Sequence, residues 1–254
     1  MKAKKFFAAA AGAAAAALTA VGAKVFMSNL KGGSGKFISL NNTDNNGGAK
    51  PEEKSGGVDF KEFSDEILTA MIDSFEKKTP YSGGHSRRVA EISRLIGEKL
   101  GFSDLNGLYY AALLHDVGKM YIPEELLNKS KFSMTDLEKE EWYNHPKTGA
   151  ALVKGISGIS RYAGSIKHHH ERYDGSGYPD GLKGEDIPLA SRIIAVADAY
   201  EAMSSERPGR EAYPREYIMR ELTKCSGNQF DPAVAKAMMA VIADIETQRA
   251  QSAE

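Results

Sequence analysis

A chain of 254 residues, 42% of them hydrophobic and 26% charged, can bury a core without disulfide bonds or structural zinc. The 33 Lys and Arg residues are balanced by 34 Asp and Glu, for a net charge of −1. This balance argues against non-specific binding to a nucleic-acid polymer, because such proteins usually carry a basic excess. The single cysteine, Cys225, excludes an internal disulfide and a thiolate zinc cluster.

The N-terminal segment differs in composition from the rest of the chain. Three lysines within the first five residues precede an uncharged run, Phe6–Ala23, made almost wholly of Ala, Gly and Phe. Its eighteen residues would form a helix of about 27 Å, just enough to cross the hydrocarbon core of a bilayer. The small residues that end the run also fit a cleavable signal peptide. We predict a membrane anchor over residues 1–27, with a signal peptide as the alternative, because the run exceeds most signal-peptide apolar regions.

Residues 28–58 are rich in Gly, Asn, Ser and Lys and contain few large apolar side chains. Such a segment buries too little surface to offset the entropy lost on ordering, so we predict a flexible linker. Within it, Gly32–Lys36 has the glycines and lysine of a phosphate-binding loop. Phe37 follows that lysine and no predicted strand precedes the stretch, so it is assigned to the linker.

From residue 59 to residue 254, apolar residues recur at helical spacing, and no stretch sustains the period of two that marks a strand. Gly101 is expected to end one helix as a C-cap, and Ser103 or Asp104 to begin the next as an N-cap. The pattern predicts an all-α domain. Its helices are expected over Phe60–Phe75, Val89–Leu100, Leu105–Leu114, Thr135–Tyr143, Pro146–Lys154, Ile159–His170, Leu189–Ser204, Pro214–Thr223 and Pro232–Glu246.

Imidazole and carboxylate groups stand at the ends of predicted helices or inside apolar runs. His115 and Asp116 directly follow one such run, and Asp198 lies inside another, Ile193–Ala199. A buried carboxylate is costly unless its charge is offset. A divalent cation would offset it, and an arginine such as Arg192 is the alternative. Histidines recur roughly every thirty residues, a spacing that can return them to one level of a helical bundle, where such folds build dinuclear metal sites.

A series of short motifs runs along the chain from about residue 81. They are Gly84–Val89 (GHSRRV), Leu114–Lys119 (LHDVGK), His145-Pro146 with Gly149, His169–Pro179 (HHERYDGSGYP), Val196–Asp198 (VAD) and Asp231-Pro232. In order and residue type they resemble the HD-GYP family, a subset of the HD superfamily of metal-dependent phosphohydrolases. The resemblance implies an HD-type helical bundle around a dinuclear metal site.

The same resemblance implies that two metal ions share Asp116 as a bridging ligand. The other ligands would form a first set, His85, His115 and Asp198, and a second set, His145, His169 and His170. Imidazole and carboxylate ligands without thiolate suit iron or manganese. A third metal is not expected, because Tyr81 stands where some family members have a glutamate.

Substrate contacts are implied in the same way. Lys119 would hydrogen-bond the phosphate or the attacking hydroxide and act beside Asp116 in catalysis. Tyr178 belongs to the Gly-Tyr-Pro loop, which the family links with substrate access and with contacts to signalling proteins. Arg207 and Arg210 resemble the family's phosphate-binding basic pair, a role that suits the planar guanidinium.

Two positions depart from the family pattern. Gly209 stands where an aromatic residue usually separates the two arginines, and Glu201 stands where an aspartate is usual. Every implied ligand position is intact.

The function expected from the resemblance is metal-dependent hydrolysis of cyclic di-GMP to pGpG and/or GMP. One alternative is an HD-type phosphohydrolase acting on another nucleotide or phosphoester. Another is a metal-bound signalling scaffold that docks partners through its Gly-Tyr-Pro loop. Hydrolysis of a cytoplasmic substrate would require the anchored catalytic domain to face the cytoplasm. A cleaved signal peptide would instead place that domain outside the cytoplasm.

Overall fold

The computed structural model describes residues 60–78, 83–207 and 209–251. Every regular element in these ranges is helical, and β-type pairing there is limited to two isolated bridges. The all-α prediction is therefore confirmed for the described part of the chain.

The predicted anchor over residues 1–27, the predicted linker over residues 28–58 and the position of Tyr81 lie outside the described residues. Within the described ranges, no helix combines the length and the apolar character needed to cross a bilayer.

Ten α-helices occur in the described ranges, together with four short 3₁₀-helices. The α-helices are α1 Phe60–Glu76, α2 His85–Leu100, α3 Leu105–Leu113, α4 Glu124–Leu127, α5 Asp136–Tyr143, α6 His145–Val153, α7 Ala163–Lys167, α8 Leu189–Ser204, α9 Arg215–Cys225 and α10 Pro232–Gln251. The 3₁₀-helices are Val117–Tyr121, Lys131–Ser133, Ser160–Tyr162 and Gly184–Asp186.

Local capping explains where several helices begin and end. Gly101 adopts a φ of 67° after α2 and donates its N–H to carbonyls of the last turn, as a glycine C-cap does. Of the two N-caps predicted for α3, the structure uses Asp104, whose carboxylate accepts the N–H of Gly107 at 2.9 Å. A capping box begins α5, where Thr135 and Glu138 each accept the other's backbone N–H.

One predicted helix is wrong in extent. The continuous helix expected over Ile159–His170 is a 3₁₀-turn followed by α7, which ends at Lys167. A longer helix would use the carbonyl of Ile166 for a backbone N–H one turn later. Instead, the ring Nδ1 of His169 lies 2.6 Å from that carbonyl oxygen, and the chain turns at this point.

The main core lies between α2, α3, α8 and α10. Each of these helices contributes a fully buried apolar side chain to it, respectively Ile96, Leu108, Ile193 and Met238. Helix α2 packs against α3 and α8, and contacts of His85 with His115 and Glu201 bring the start of α2, the end of α3 and the second half of α8 together. A smaller apolar cluster contains Leu126 and Met134, and Trp142 of α5 packs against it.

Candidate metal centre

His115 and Asp116 follow directly on the buried end of α3. His115 is completely buried, and Asp116 begins the 3₁₀-helix Val117–Tyr121. That 3₁₀-helix crosses α6 closely, because a Cβ atom built on Gly118 would lie only 1.9 Å from the carbonyl oxygen of His145. A glycine at this crossing therefore lets Asp116 and His145 approach each other.

Three of the histidines are held in the same way. The Nδ1 atoms of His115, His145 and His169 lie 2.7, 2.7 and 2.6 Å from backbone carbonyl oxygens three residues earlier. A carbonyl oxygen can only accept, so each Nδ1 carries a proton, and in the neutral imidazole each Nε2 carries the lone pair. The hydrogen bond to the backbone thus selects the tautomer in which Nε2 is available as a metal ligand.

The three Nε2 atoms converge on the carboxylate of Asp116. Nε2 of His115 lies 3.3 Å from Oδ2, and those of His145 and His169 lie 3.3 and 3.8 Å from Oδ1. None of the three nitrogens has a hydrogen-bond partner, and neither has Oδ1 of Asp116, although all four atoms are buried. Buried polar atoms are nearly always satisfied, so this cluster has the donor set and the unmet coordination that a cation would fill.

His85 and His170 complete two groups around Asp116. Ligand atoms of Asp116, His145, His169 and His170 lie within 4.8 Å of one another, and so do those of His85, His115 and Asp116. Asp198 is joined through His85, whose Nε2 lies 3.4 Å from its Oδ1. Imidazole and carboxylate groups in this arrangement suit a divalent metal site.

The charges in the cluster are strongly coupled. Burial raises the pKa of Asp116, but the positive charges of His115 and Lys119 outweigh it and hold that pKa well below the usual range. Burial lowers the pKa of His115, and the charge of Asp116 more than reverses this, to about 9. Burial holds the pKa values of His169 and His170 well below the usual range. Without a metal, a proton on Nε2 of His115 would offset the charge of Asp116, and a divalent cation would displace that proton and take the lone pair.

His85 stands at the first position of α2 and is held differently from the other three histidines. Its Nδ1 lies 2.6 Å from Oε2 of Glu201, a buried carboxylate on α8. Burial raises the pKa of Glu201, but hydrogen bonds from His85, Arg88 and Ser205 lower it to about 2. Glu201 is thus ionised at neutral pH, and the Nδ1–H of His85 donates to it.

Lys119 lies beside the cluster. Its ammonium group donates to Oδ2 of Asp116 at 2.5 Å and lies 5.6 Å from the ring centroid of Trp142. The ammonium group of Lys131 lies 5.2 Å from the same ring, so two cations share one indole at the edge of the site. Sequence reasoning identified Lys119 and missed the other two residues.

The Gly-Tyr-Pro loop packs on the histidines. The ring of Tyr178 stacks on that of His170 with centroids 4.9 Å apart. Gly177 permits this approach, because a Cβ atom there would lie 2.3 Å from the backbone nitrogen of Arg172. The buried carboxylate of Glu171 accepts two backbone N–H groups just beyond the loop. The loop is therefore held against the ligand cluster.

The two arginines of the expected phosphate-binding pair differ in position. A guanidinium nitrogen of Arg207 lies 3.7 Å from Oε2 of Glu201, next to His85. Arg210 instead donates to the carbonyls of Ala202 and Ser205 at the end of α8.

Two further sequence expectations concern neighbours of the ligand residues. Arg192 pairs with Asp231, so the alternative in which it neutralises Asp198 is not what the structure shows. His168, which precedes the HHERYDGSGYP motif, lies 3.0 Å from Asp180 and is not among the two groups of ligand atoms.

Comparison with known proteins places this geometry in a family. The family model for the HD domain matches residues 69–234. A cyclic di-GMP phosphodiesterase response regulator of Xanthomonas campestris is 36% identical over 71% of this chain and 49% of its own length. A cyclic di-GMP phosphodiesterase of Thermotoga maritima is 36% identical over 74% of this chain and 52% of its own length. A 3′3′-cGAMP-specific phosphodiesterase of Vibrio cholerae is 34% identical over 74% and 42% of the two chains.

Two solved structures share the fold. The cyclic GMP-AMP specific phosphodiesterase of Vibrio cholerae has a TM-score of 0.54 at 22% identity, over 70% of this chain and 48% of that one. An HDG“Y”P protein of Bdellovibrio bacteriovorus has a TM-score of 0.52 at 20% identity, over 72% and 63% of the two chains. The chain spans about half the length of the curated relatives it matches. With its helical fold and its histidine–aspartate cluster, the chain belongs to the HD domain family.

Proposed function

We propose that this chain is a metal-dependent phosphodiesterase that hydrolyses cyclic di-GMP to pGpG and/or GMP. The observation that carries the proposal is the convergence of three buried Nε2 atoms on the carboxylate of Asp116, all without hydrogen-bond partners. The substrate class follows from relatives 36% identical to this chain that are cyclic di-GMP phosphodiesterases.

Two divalent ions would be held on either side of Asp116. One would take the first ligand set and the other the second, in keeping with the two groups of ligand atoms that share this aspartate. Iron or manganese is the proposed metal, because the ligands are imidazole and carboxylate without thiolate. Bound ions of this kind lower the pKa of a coordinated water and neutralise charge on a transferring phosphoryl group.

The chain's own residues supply orientation and charge around the reacting phosphate. The ammonium group of Lys119 is 2.5 Å from Asp116, within reach of a phosphate oxygen placed beside that carboxylate. Arg207 lies beside Glu201, the carboxylate that contacts His85. The ring of Tyr178 stacks on that of His170 and would contact a substrate bound beside it. Arg210 is bound to the end of α8 and would bind phosphate only after releasing those carbonyls.

A second cyclic dinucleotide, 3′3′-cGAMP, is the alternative substrate. It is favoured by a relative 34% identical over 74% of this chain that is specific for it. The two substrates share the phosphodiester and differ in one base, so the metal cluster does not distinguish them.

Residues 1–27 are proposed to anchor the protein in a membrane, and residues 28–58 to tether domain 59–254 on the cytoplasmic side, where cyclic di-GMP occurs. The Gly-Tyr-Pro loop is proposed as a contact surface for signalling proteins.

Hydrolysis by the full chain, purified anaerobically with iron or manganese, tests the proposal. Cyclic di-GMP and 3′3′-cGAMP are offered separately and the products separated by chromatography. Release of pGpG or GMP from cyclic di-GMP supports the first assignment, and turnover of 3′3′-cGAMP alone supports the second. A protein with two bound ions and no turnover of either would refute both and favour another phosphoester or a docking role.

A further inference from the structure

Glu201 is a buried carboxylate with an unusually complete set of partners. It is 2% exposed and lies in the last turn of α8. Oε1 accepts from Nε and Nη2 of Arg88 at 2.9 and 2.6 Å and from Oγ of Ser205 at 2.8 Å. Oε2 lies 2.6 Å from Nδ1 of His85 and 3.7 Å from a guanidinium nitrogen of Arg207.

Such a carboxylate is fixed in place. Burial of an unpaired charge is costly, whereas a buried charge with good hydrogen bonds on both oxygens is held in one geometry. Arg88 and Ser205 occupy Oε1, which leaves Oε2 directed at His85. The orientation of the imidazole is thereby set from α8, through a contact between residues 116 positions apart in sequence.

Glu201 also stands one helical turn beyond Asp198 on α8, so their side chains lie on the same face. The ring of His85 spans the two carboxylates, with Nδ1 at Glu201 and Nε2 3.4 Å from Oδ1 of Asp198. One carboxylate therefore holds the back of the imidazole while the other lies beside its free nitrogen.

The contact between His85 and Glu201 differs from those that hold the other three histidines. His115, His145 and His169 donate their Nδ1 protons to neutral backbone carbonyls, whereas His85 donates to an ionised carboxylate. A carboxylate behind a ligating imidazole fixes its tautomer and makes its other nitrogen a stronger ligand. Of these four histidines, only His85, in the first ligand set, has a carboxylate as the acceptor of its Nδ1 proton.

We infer that Glu201 is a positioning residue that fixes the tautomer and ring orientation of His85 and so governs the affinity of the ion bound by the first ligand set. The inference rests on the proposed two-ion function. Through its contact with Arg207, the same carboxylate also holds a phosphate-binding arginine next to that ion. Glu201 thereby joins the metal site to the proposed substrate site.

Metal retention by the full chain tests the inference. Wild type, Glu201→Gln and Glu201→Asp are loaded with Mn²⁺, dialysed against a graded series of chelator concentrations and analysed for metal per chain. Glu201→Gln keeps the shape but removes the charge, and we expect one of two ions to bind about 10- to 100-fold more weakly. The second ion should keep its wild-type affinity. Glu201→Asp keeps the charge on a shorter side chain, so its affinity for the weakened ion should lie between those of wild type and Glu201→Gln.

Asp231→Asn is the matched control. Asp231 is a buried carboxylate, 6% exposed, paired with Arg192, and its partners do not include a ligand residue. Both asparagine and glutamine variants should lose stability, but only the variant at Glu201 should lose affinity for one ion. Equal loss of metal in both, or wild-type affinity in Glu201→Gln, would overturn the inference. If Glu201→Gln does not fold, unchanged affinity in Glu201→Asp overturns it instead.

This measurement is independent of the substrate assay. A wild type that binds two ions but hydrolyses no cyclic dinucleotide would refute the proposed function and leave the role of Glu201 to be decided by metal retention. An active wild type with equal metal affinity in all variants would refute the role of Glu201 and leave the function standing.

Discussion

At Gly118 the 3₁₀-helix and α6 lie too close for any side chain, so a larger residue there should disturb both the fold and the site. A Cβ atom at this position would lie 1.9 Å from the carbonyl oxygen of His145 and 2.6 Å from the backbone nitrogen of Gly149. Both atoms are backbone, so no side chain can move aside. Relief of the contact in Gly118→Ala therefore requires the 3₁₀-helix and α6 to separate by about 1 Å, a shift on the scale that costs roughly 100-fold in rate when it misplaces reacting groups.

We expect Gly118→Ala to lower the free energy of unfolding by about 1–3 kcal/mol, as overpacking does. It should also lower kcat/KM by roughly 100-fold, because Asp116 and His145 lie on the two elements that separate, with Oδ1 and Nε2 only 3.3 Å apart. Denaturant unfolding followed by circular dichroism measures the first effect. Turnover and metal content of the folded protein measure the second.

Gly164→Ala is the matched control, because a Cβ atom at Gly164 has no neighbour within 4 Å. Gly164 is exposed and lies inside α7, where alanine is favoured over glycine by up to about 1 kcal/mol. The control should keep full activity and equal or greater stability. A Gly118→Ala protein with wild-type stability and turnover would refute the reasoning. Reduced stability with full turnover would refute the part that connects the crossing to the site.

Three other predictions concern single side chains. Asp116→Ala should abolish turnover and lower metal content while the helical circular dichroism persists; full activity in this variant would contradict the two-ion mechanism. Tyr178→Ala removes the ring stacked on His170 and should raise KM with unchanged metal content, whereas an unchanged KM would exclude a substrate contact. Asp104→Ala should cost about 1 kcal/mol through loss of the α3 cap, measured by denaturant unfolding. Asp104→Asn keeps a capping oxygen but not the charge. Since hydrogen bonds from Gly107 and Tyr162 lower the pKa of Asp104, the stability advantage of Asp over Asn should be full above about pH 4 and shrink as the pH falls further. A difference that grows on acidification would contradict this sign.

Much of the fold could be predicted because its signals are local. Apolar spacing located the main helices, and Gly101 and Asp104 marked helix ends, since a cap depends only on residues within one turn. The helix predicted to reach His170 ends at Lys167 instead. A side-chain hydrogen bond from His169 replaces a backbone one, and the spacing of apolar residues carries no sign of that exchange.

The surroundings of the site were less accessible to sequence reasoning. Glu201 was noted only as a departure from a pattern, because its partner His85 is 116 positions away. Trp142 and Lys131 belong to no motif, and the ring of Trp142 meets Lys119 and Lys131 through contacts between separate elements. Contacts of this kind depend on tertiary packing, which motif spacing does not describe.

The backbone hydrogen bonds of three histidines also affect the helices that carry them. The acceptor carbonyls belong to Ala112, Trp142 and Ile166, in the last turns of α3, α5 and α7, where carbonyls have no amide partner within their own helix. Each imidazole is therefore a C-terminal cap as well as a candidate ligand. The negative ends of three helix dipoles converge on the same cluster, and their combined field favours a cation there. Replacing any one of these histidines removes a hydrogen bond from a helix end at the same time as it removes a candidate ligand, so helix fraying and metal loss are coupled at these positions.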